Sequence, residues 1–129
     1  MGIKVVQCSV TKGVTFRLPL KPNRNHKNTA FGGTLIAAQA LASWAWMMCL
    51  LEENNLHAEV VVQRQMSEFL SPVTKDFLVE TRVPSAAQIK KFLNTLKKKG
   101  KARLLIQAEA LNHKKSACLY AGEYVAILS

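Results

Sequence analysis

Residues 32–51 read GGTLIAAQALASWAWMMCLL, twenty positions without a charged side chain. At about 1.5 Å per residue, a helix of that length runs about 30 Å, enough to cross a bilayer or to fill a small protein. The choice between these decides the fold. The segment is rich in Ala (37, 38, 40, 42 and 45), which drives membrane insertion weakly but lets neighbouring backbone come close. Its C-terminal flank is Glu52-Glu53, and no Lys/Arg cluster lies immediately beside either end. The chain that follows alternates for long stretches, and alternating strands need an apolar body to cover. The segment is therefore read as a buried helix and not as a membrane span.

Working outward, Ile3 to Gln7 can form a short strand, and Lys12-Gly13 is a turn signal. Val14, Phe16, Leu18 and Leu20 then fall on one face of a second strand. Pro19 lacks an N–H for a ladder, so this strand should lie at an edge or end there. Lys21 to Thr29 (KPNRNHKNT) is polar, with Pro and three Asn, and reads as a loop. Downstream of the helix, Val60, Val62, Arg64 and Met66 alternate with Val61, Gln63, Gln65 and Ser67 in a long strand ending near Pro72. Phe77 to Val83 is another, closed by Pro84. Ser85 is placed to cap a second helix, Ala86 to Lys99, with Ile89, Phe92, Leu93 and Leu96 at helical spacing. Lys97 to Lys99 suit its C-terminal turn and Gly100 its stop. Two final strands, Ala102–Leu111 and Ala117–Leu128, flank the turn Asn112 to Lys115.

Runs of neighbouring strands with helices between them predict an α+β protein with a mainly antiparallel sheet. One long apolar helix facing that sheet wants the sheet to curl round it. That is the hotdog arrangement, here with a short second helix, and its usual assembly is a homodimer whose two sheets join, or a tetramer of such dimers. Residues 1–129 are read as a single domain of this kind, without repeats or linkers.

Composition narrows the partners. Eighteen Lys and Arg against eight Asp and Glu give a net charge of +10, which favours an anionic partner. Cys8, Cys49 and Cys118 are far apart, with no ligand-like spacing, and read as small buried side chains in a reducing compartment. The N-terminal MGIKVVQCSV lacks a signal peptide's apolar core, so a cytoplasmic location is expected. His57 and His113 lie in predicted turns without companion ligands, and no metal site is expected.

Particular residues then resemble a known family. They are Leu20-x-Pro22-Asn23-x-Asn25-x3-Thr29-x-Phe31-Gly32-Gly33-Thr34, Leu41-x2-Trp44, Phe69-Leu70-x-Pro72-Val73, Lys99 to Leu104 and Gly122-x-Tyr124-Val125. Together, over about Val14 to Ile127, they resemble the hotdog thioesterase family called the YiiD C-terminal domain, often fused to a GNAT-type acetyltransferase. No acetyltransferase half lies in these 129 residues, so a stand-alone domain is expected. More distantly, Asn25 followed seven residues later by Gly32 resembles the Asn…His-Gly-Gly pattern of PaaI-like acyl-CoA thioesterases.

The resemblance implies hydrolysis of an acyl thioester, on CoA or an acyl-carrier protein, with the carbonyl oxygen at the Gly32 amide. CoA or phosphopantetheine would be part of the substrate, and no separate cofactor is implied. A helix start carries unpaired N–H groups and partial positive charge, the donors an acyl-transfer oxyanion needs. Glycine lets the substrate approach. Asn25 and His26 are the candidate catalytic partners, one to orient water or thioester, the other the titratable group beside it. Asn23, Thr29, Phe31, Gly33, Gln39 and Ser43 are candidates to line the substrate, Thr29 also as a helix cap.

Two departures from the PaaI-like pattern stand out. Phe31 occupies the His position, and the acid expected two turns into the helix would fall near Ala40, where none exists. The alternatives are therefore a hotdog protein that binds acyl thioesters without chemistry, or a basic nucleic-acid-binding domain. Against the last, base-stacking aromatics are nearly absent among the lysines. Glu59 and Glu68 are the nearest acids on the following strand, and alternation alone does not place them.

Overall fold

Helix α1 (Gly32–Glu53) lies in the hollow of a six-stranded antiparallel sheet in the computed structural model, which describes residues 1–30 and 32–129. Before it come β1 (Lys4–Ser9), β2 (Gly13–Leu18) and a single 3-10 turn, Lys21–Asn23. After it come β3 (Ala58–Phe69), β4 (Phe77–Arg82), α2 (Ala86–Lys99), β5 (Lys101–Asn112) and β6 (Lys115–Leu128). The spatial strand order is β1-β2-β4-β5-β6-β3, so β1 and β3 are the edges. This is the expected hotdog architecture.

The uncharged segment is core. Ala38, Ala42, Trp46 and Met47 have no exposed surface, and Leu35, Leu50 and Leu51 almost none. They meet Phe16, Leu18, Phe77, Val79, Leu104 and Ile106 on the sheet's inner face. Removing each large apolar side chain from water contributes on the order of 1.5–3 kcal/mol. Trp46 keeps its ring in the core because its indole N–H donates to the Val10 carbonyl at 3.0 Å.

Helix α2 follows its local signals. The Ser85 hydroxyl accepts from the Gln88 N–H, and the Gln88 side chain accepts from the Ser85 N–H, a complete capping box. Gly100 closes the helix at φ 77°, its N–H bonded to the Leu96 carbonyl. Phe92 and Leu96 face the core while Lys97 to Lys99 fill the last turn.

Strand β2 pairs with β1 and β4, so it is internal, and it ends just before Pro19, the second of the two outcomes expected of that proline. Two details differ from the sequence reading. The loop before α1 contains the 3-10 turn, with Pro22 in its first positions. The alternation in β3 is not continuous: the register against β6 shifts between Val62 and Arg64. Val62 opposes Tyr124 and Arg64 opposes Glu123, which leaves Gln63 as the extra residue of a bulge.

Candidate active site at the start of the central helix

Gly32 opens α1 and is half-buried, and Gly33 is exposed. The first N–H groups of a helix have no partner within it, so they are available to a ligand. A Cβ at Gly32 would lie 3.4 Å from the Phe69 ring. The phenyl group thus forms a wall beside a bare stretch of backbone, an arrangement suited to a flat acyl carbonyl. Phe31, predicted to line the substrate, lies outside the described residues.

The loop before the helix is folded tightly on itself. Arg24 and Ala30 form a short antiparallel bridge, and the Asn25 N–H donates to the Thr29 carbonyl at 2.7 Å. Asn25 Oδ1 accepts from the N–H groups of Lys27 (2.9 Å) and Thr29 (3.2 Å) and from the Thr29 hydroxyl (3.0 Å). Its amide NH2 has no partner among the described residues and is the part left for a substrate. Thr29 therefore closes this loop and does not cap the helix, because its hydroxyl is directed to Asn25. His26 is exposed at the loop tip. Asn23 is 5% exposed, and both its amide hydrogens are used on the carbonyls of Met1 (2.8 Å) and Pro19 (2.7 Å). It anchors the loop and leaves no donor for a ligand. The Ala30 N–H donates to the Val73 carbonyl at 2.8 Å, which holds the loop against the segment after β3.

Gln39 and Ser43 point into the protein, not toward Gly33. Gln39 has no exposed surface and donates to the Leu35 carbonyl (2.9 Å) and the Cys118 sulfur (3.3 Å). Its Oε1 is buried without a partner among the described residues. Ser43, also fully buried, donates to the Gln39 carbonyl at 2.9 Å. A substrate reaching either would have to pass between α1 and β6. Beneath them lies a pair absent from the sequence reading. The Tyr124 hydroxyl donates to the Ala40 carbonyl at 2.8 Å and lies 2.8 Å from that of Tyr120. Since Tyr124 uses its proton on a carbonyl, Tyr120 donates to Tyr124. Burial pushes both phenols above their ordinary range, as it does the Cys118 thiol. Gly122 between them is required: a Cβ there would sit 2.7 Å from Tyr120 Oη and 2.7 Å from Tyr124 Cε1. That gives the Gly-x-Tyr sequence its physical reason.

The placement of the acids follows from strand pairing. Residues directly opposite share a face, and Phe69 opposes Cys118, whose sulfur touches Gln39. Phe69 therefore faces the helix and its neighbour Glu68 faces away. Glu68, Glu80 and Glu109 lie on the outer face, along one row with Leu119, and Glu59 and Glu123 are on that face as well. Glu109 is held there by the Ser116 hydroxyl and by Arg82 at 3.1 Å. Glu52 and Glu53 end α1. Asp76 accepts the Leu20 N–H at 2.9 Å. It lies in an open groove of about 770 Å³ shared with Arg17, Lys21, Arg24, Lys75 and His113. Most of the surplus positive charge nearest the loop faces this groove. Among the described residues no group of three His, Cys, Asp or Glu could hold a metal ion.

A curled sheet around one helix, with that helix's glycine-led start open beside a locked loop, defines a hotdog protein of the thioesterase kind. The chain belongs to the family described as Putative thioesterase (yiiD_Cterm), whose model matches residues 1–128. A protein of unknown function from Chlorobaculum tepidum superposes with a TM-score of 0.93 at 25% identity, over 100% of this chain and 84% of that one. A putative thioesterase from Shewanella oneidensis gives 0.85 at 22% identity, over 98% and 85%. A Pseudomonas aeruginosa protein described as a probable thioesterase gives 0.84 at 20% identity, over 99% and 84%. No curated protein matches the chain. The family description and those of the Shewanella and Pseudomonas proteins name a thioesterase.

Proposed function

We propose that this protein hydrolyses acyl thioesters of CoA or of an acyl-carrier protein at the N-terminus of α1, as a homodimer. The observation that carries this is the Gly32 amide, set at a helix start with the Phe69 ring beside it. A thioester carbonyl bound there would have its oxygen among N–H donors and partial positive charge, which stabilise the tetrahedral oxyanion more than the planar ground state. Water adds to the carbonyl carbon, with the Asn25 amide orienting it and His26 receiving its proton. The intermediate then expels the carrier's thiolate, which takes up a proton from solvent. The groove beside the loop, with Arg17, Lys21, Arg24 and Lys75, suits the phosphates of CoA or an acidic carrier.

The dimer is supported by exposed apolar surface. Strand β3 is a twelve-residue edge with β6 on one side only, and Val61, Val62, Met66 and Phe69 on it are about half exposed or more. Leu41 and Trp44 are 41% and 42% exposed on the side of α1 away from the sheet. A second copy paired along β3 would extend the sheet and cover both.

The second reading, an acyl-thioester binder without chemistry, is favoured by the outward placement of the β3 acids. Turnover of acyl-CoAs of graded chain length, followed by loss of thioester absorbance, separates the two. Hydrolysis that falls at least tenfold in Gly32→Pro supports the enzyme. Proline removes the N–H at a first helical position where it is tolerated. Binding without turnover in the wild type would establish the second reading instead.

A further inference from the structure

Cys8 and Cys49 are forty-one residues apart in sequence, yet their sulfurs lie 3.1 Å from each other. Cys8 opposes Val14 at the end of β1 and is exposed, and Cys49 is half-buried about one turn before the end of α1. Among the described residues no third His, Cys, Asp or Glu joins them, so the pair lacks the ligand set of a zinc site. A disulfide needs the sulfurs at about 2.05 Å, a closure of about 1 Å. The side chains come from two different elements that already pack together.

We propose that Cys8 and Cys49 form a redox-modification site, at which a peroxide converts the two thiols into an intrachain disulfide joining β1 to α1. The exposed Cys8 meets the oxidant first. Its thiolate attacks one peroxide oxygen, the O–O bond breaks, and Cys8 becomes a sulfenic acid while the departing hydroxide is protonated to water. The Cys49 sulfur, losing its proton, then attacks the Cys8 sulfur, and the S–O bond breaks to release a second water. Two electrons pass from the thiols to one peroxide, with no other reactant. Burial, with the Cys8 contact adding to it, holds the Cys49 thiol up at about 11, which fits it as the second and not the first to react. Cys118 is fully buried against Gln39 and takes no part.

Cys49 lies seventeen residues along the helix from Gly32, about 25 Å, so this chemistry stands apart from the proposed acyl site. The test treats the folded protein with hydrogen peroxide, quenches, unfolds it and counts thiols with Ellman's reagent. The expected count falls from three to one and returns to three with dithiothreitol, and peptide mass mapping finds Cys8 joined to Cys49 within one chain. Cys118→Ser goes from two thiols to none, and Cys8→Ser forms no intrachain link. Overturning results are three thiols surviving, Cys8 driven to sulfinic acid with Cys49 still free, a bond that includes Cys118, or a bond between chains.

Discussion

The Tyr120 hydroxyl lies 2.8 Å from the Tyr124 hydroxyl, and through it is bonded to the carbonyl of Ala40 on the central helix. The chain of donors runs one way, from Tyr120 to Tyr124 to Ala40, so the two phenols are not equivalent. Tyr124→Phe leaves the Tyr120 hydroxyl proton without an acceptor in the core, the Ala40 carbonyl keeping its helical bond, and should cost about 1–3 kcal/mol in urea unfolding. Tyr120→Phe keeps the Tyr124 bond and should cost less. Equal losses would contradict the direction assigned here.

The same pair predicts an alkaline weakness. Both phenols are raised in the fold by burial, so protons are held more tightly in the native state than in the unfolded one. Their contribution is fully present below the unfolded tyrosine value of about 10 and declines as pH rises above it. Unfolding midpoints measured from pH 8 to 11 should fall more steeply for the wild type than for Tyr120→Phe/Tyr124→Phe, with lysine titration common to both.

Gly122→Ala would place a methyl group 2.7 Å from both tyrosine side chains. Overpacking of this kind costs about 1–3 kcal/mol. Because one of the contacts is to Tyr120 Oη, adding Tyr120→Phe should recover part of the loss, and chemical denaturation of the double variant checks it.

Asn25 combines a loop role and a proposed site role, and these can be separated. Asn25→Asp keeps an oxygen for the three donors that converge on it but removes the free NH2 group. It should leave thermal stability nearly unchanged and lower kcat on acyl-CoA at least tenfold. Asn25→Ala should lower both. Unchanged turnover in the aspartate variant would remove Asn25 from the site.

Sedimentation of the wild type should show twice the 14.3 kDa chain mass. Trp44→Glu, which puts a charge on the uncovered face of α1, should shift the population toward the single chain. A wild type sedimenting as one chain at micromolar concentration would contradict the β3 pairing.

Features governed by neighbouring residues were legible in the sequence. Ser85 and Gly100 bracket α2 as read, and the uncharged run 32–51 matches the bounds of α1, Gly32–Glu53, to within two residues. Contacts set by tertiary register were not. Cys8 and Cys49 are spaced like unrelated thiols until β1 is laid along α1, and the Tyr124–Ala40 bond spans eighty-four residues. Asn23 and Thr29 sit in a motif that suggests a site, yet their hydrogen bonds hold the backbone. Chemical type alone does not tell a ligand donor from a loop anchor.

The extra residue in β3 decides what the helix start sees. A strand has parity: every second side chain shares a face, and one inserted residue inverts the assignment of all that follow. Read without the bulge, Glu68 shares a face with Val60 and Val62, the face on which Tyr124 meets α1. A carboxylate would then be directed at Gly32. With Gln63 unpaired the count is offset by one, and the phenyl ring of Phe69 takes that position. The missing acid is thus a matter of counting as well as composition. One residue inserted between Arg64 and Phe69 would exchange a phenyl wall for a base.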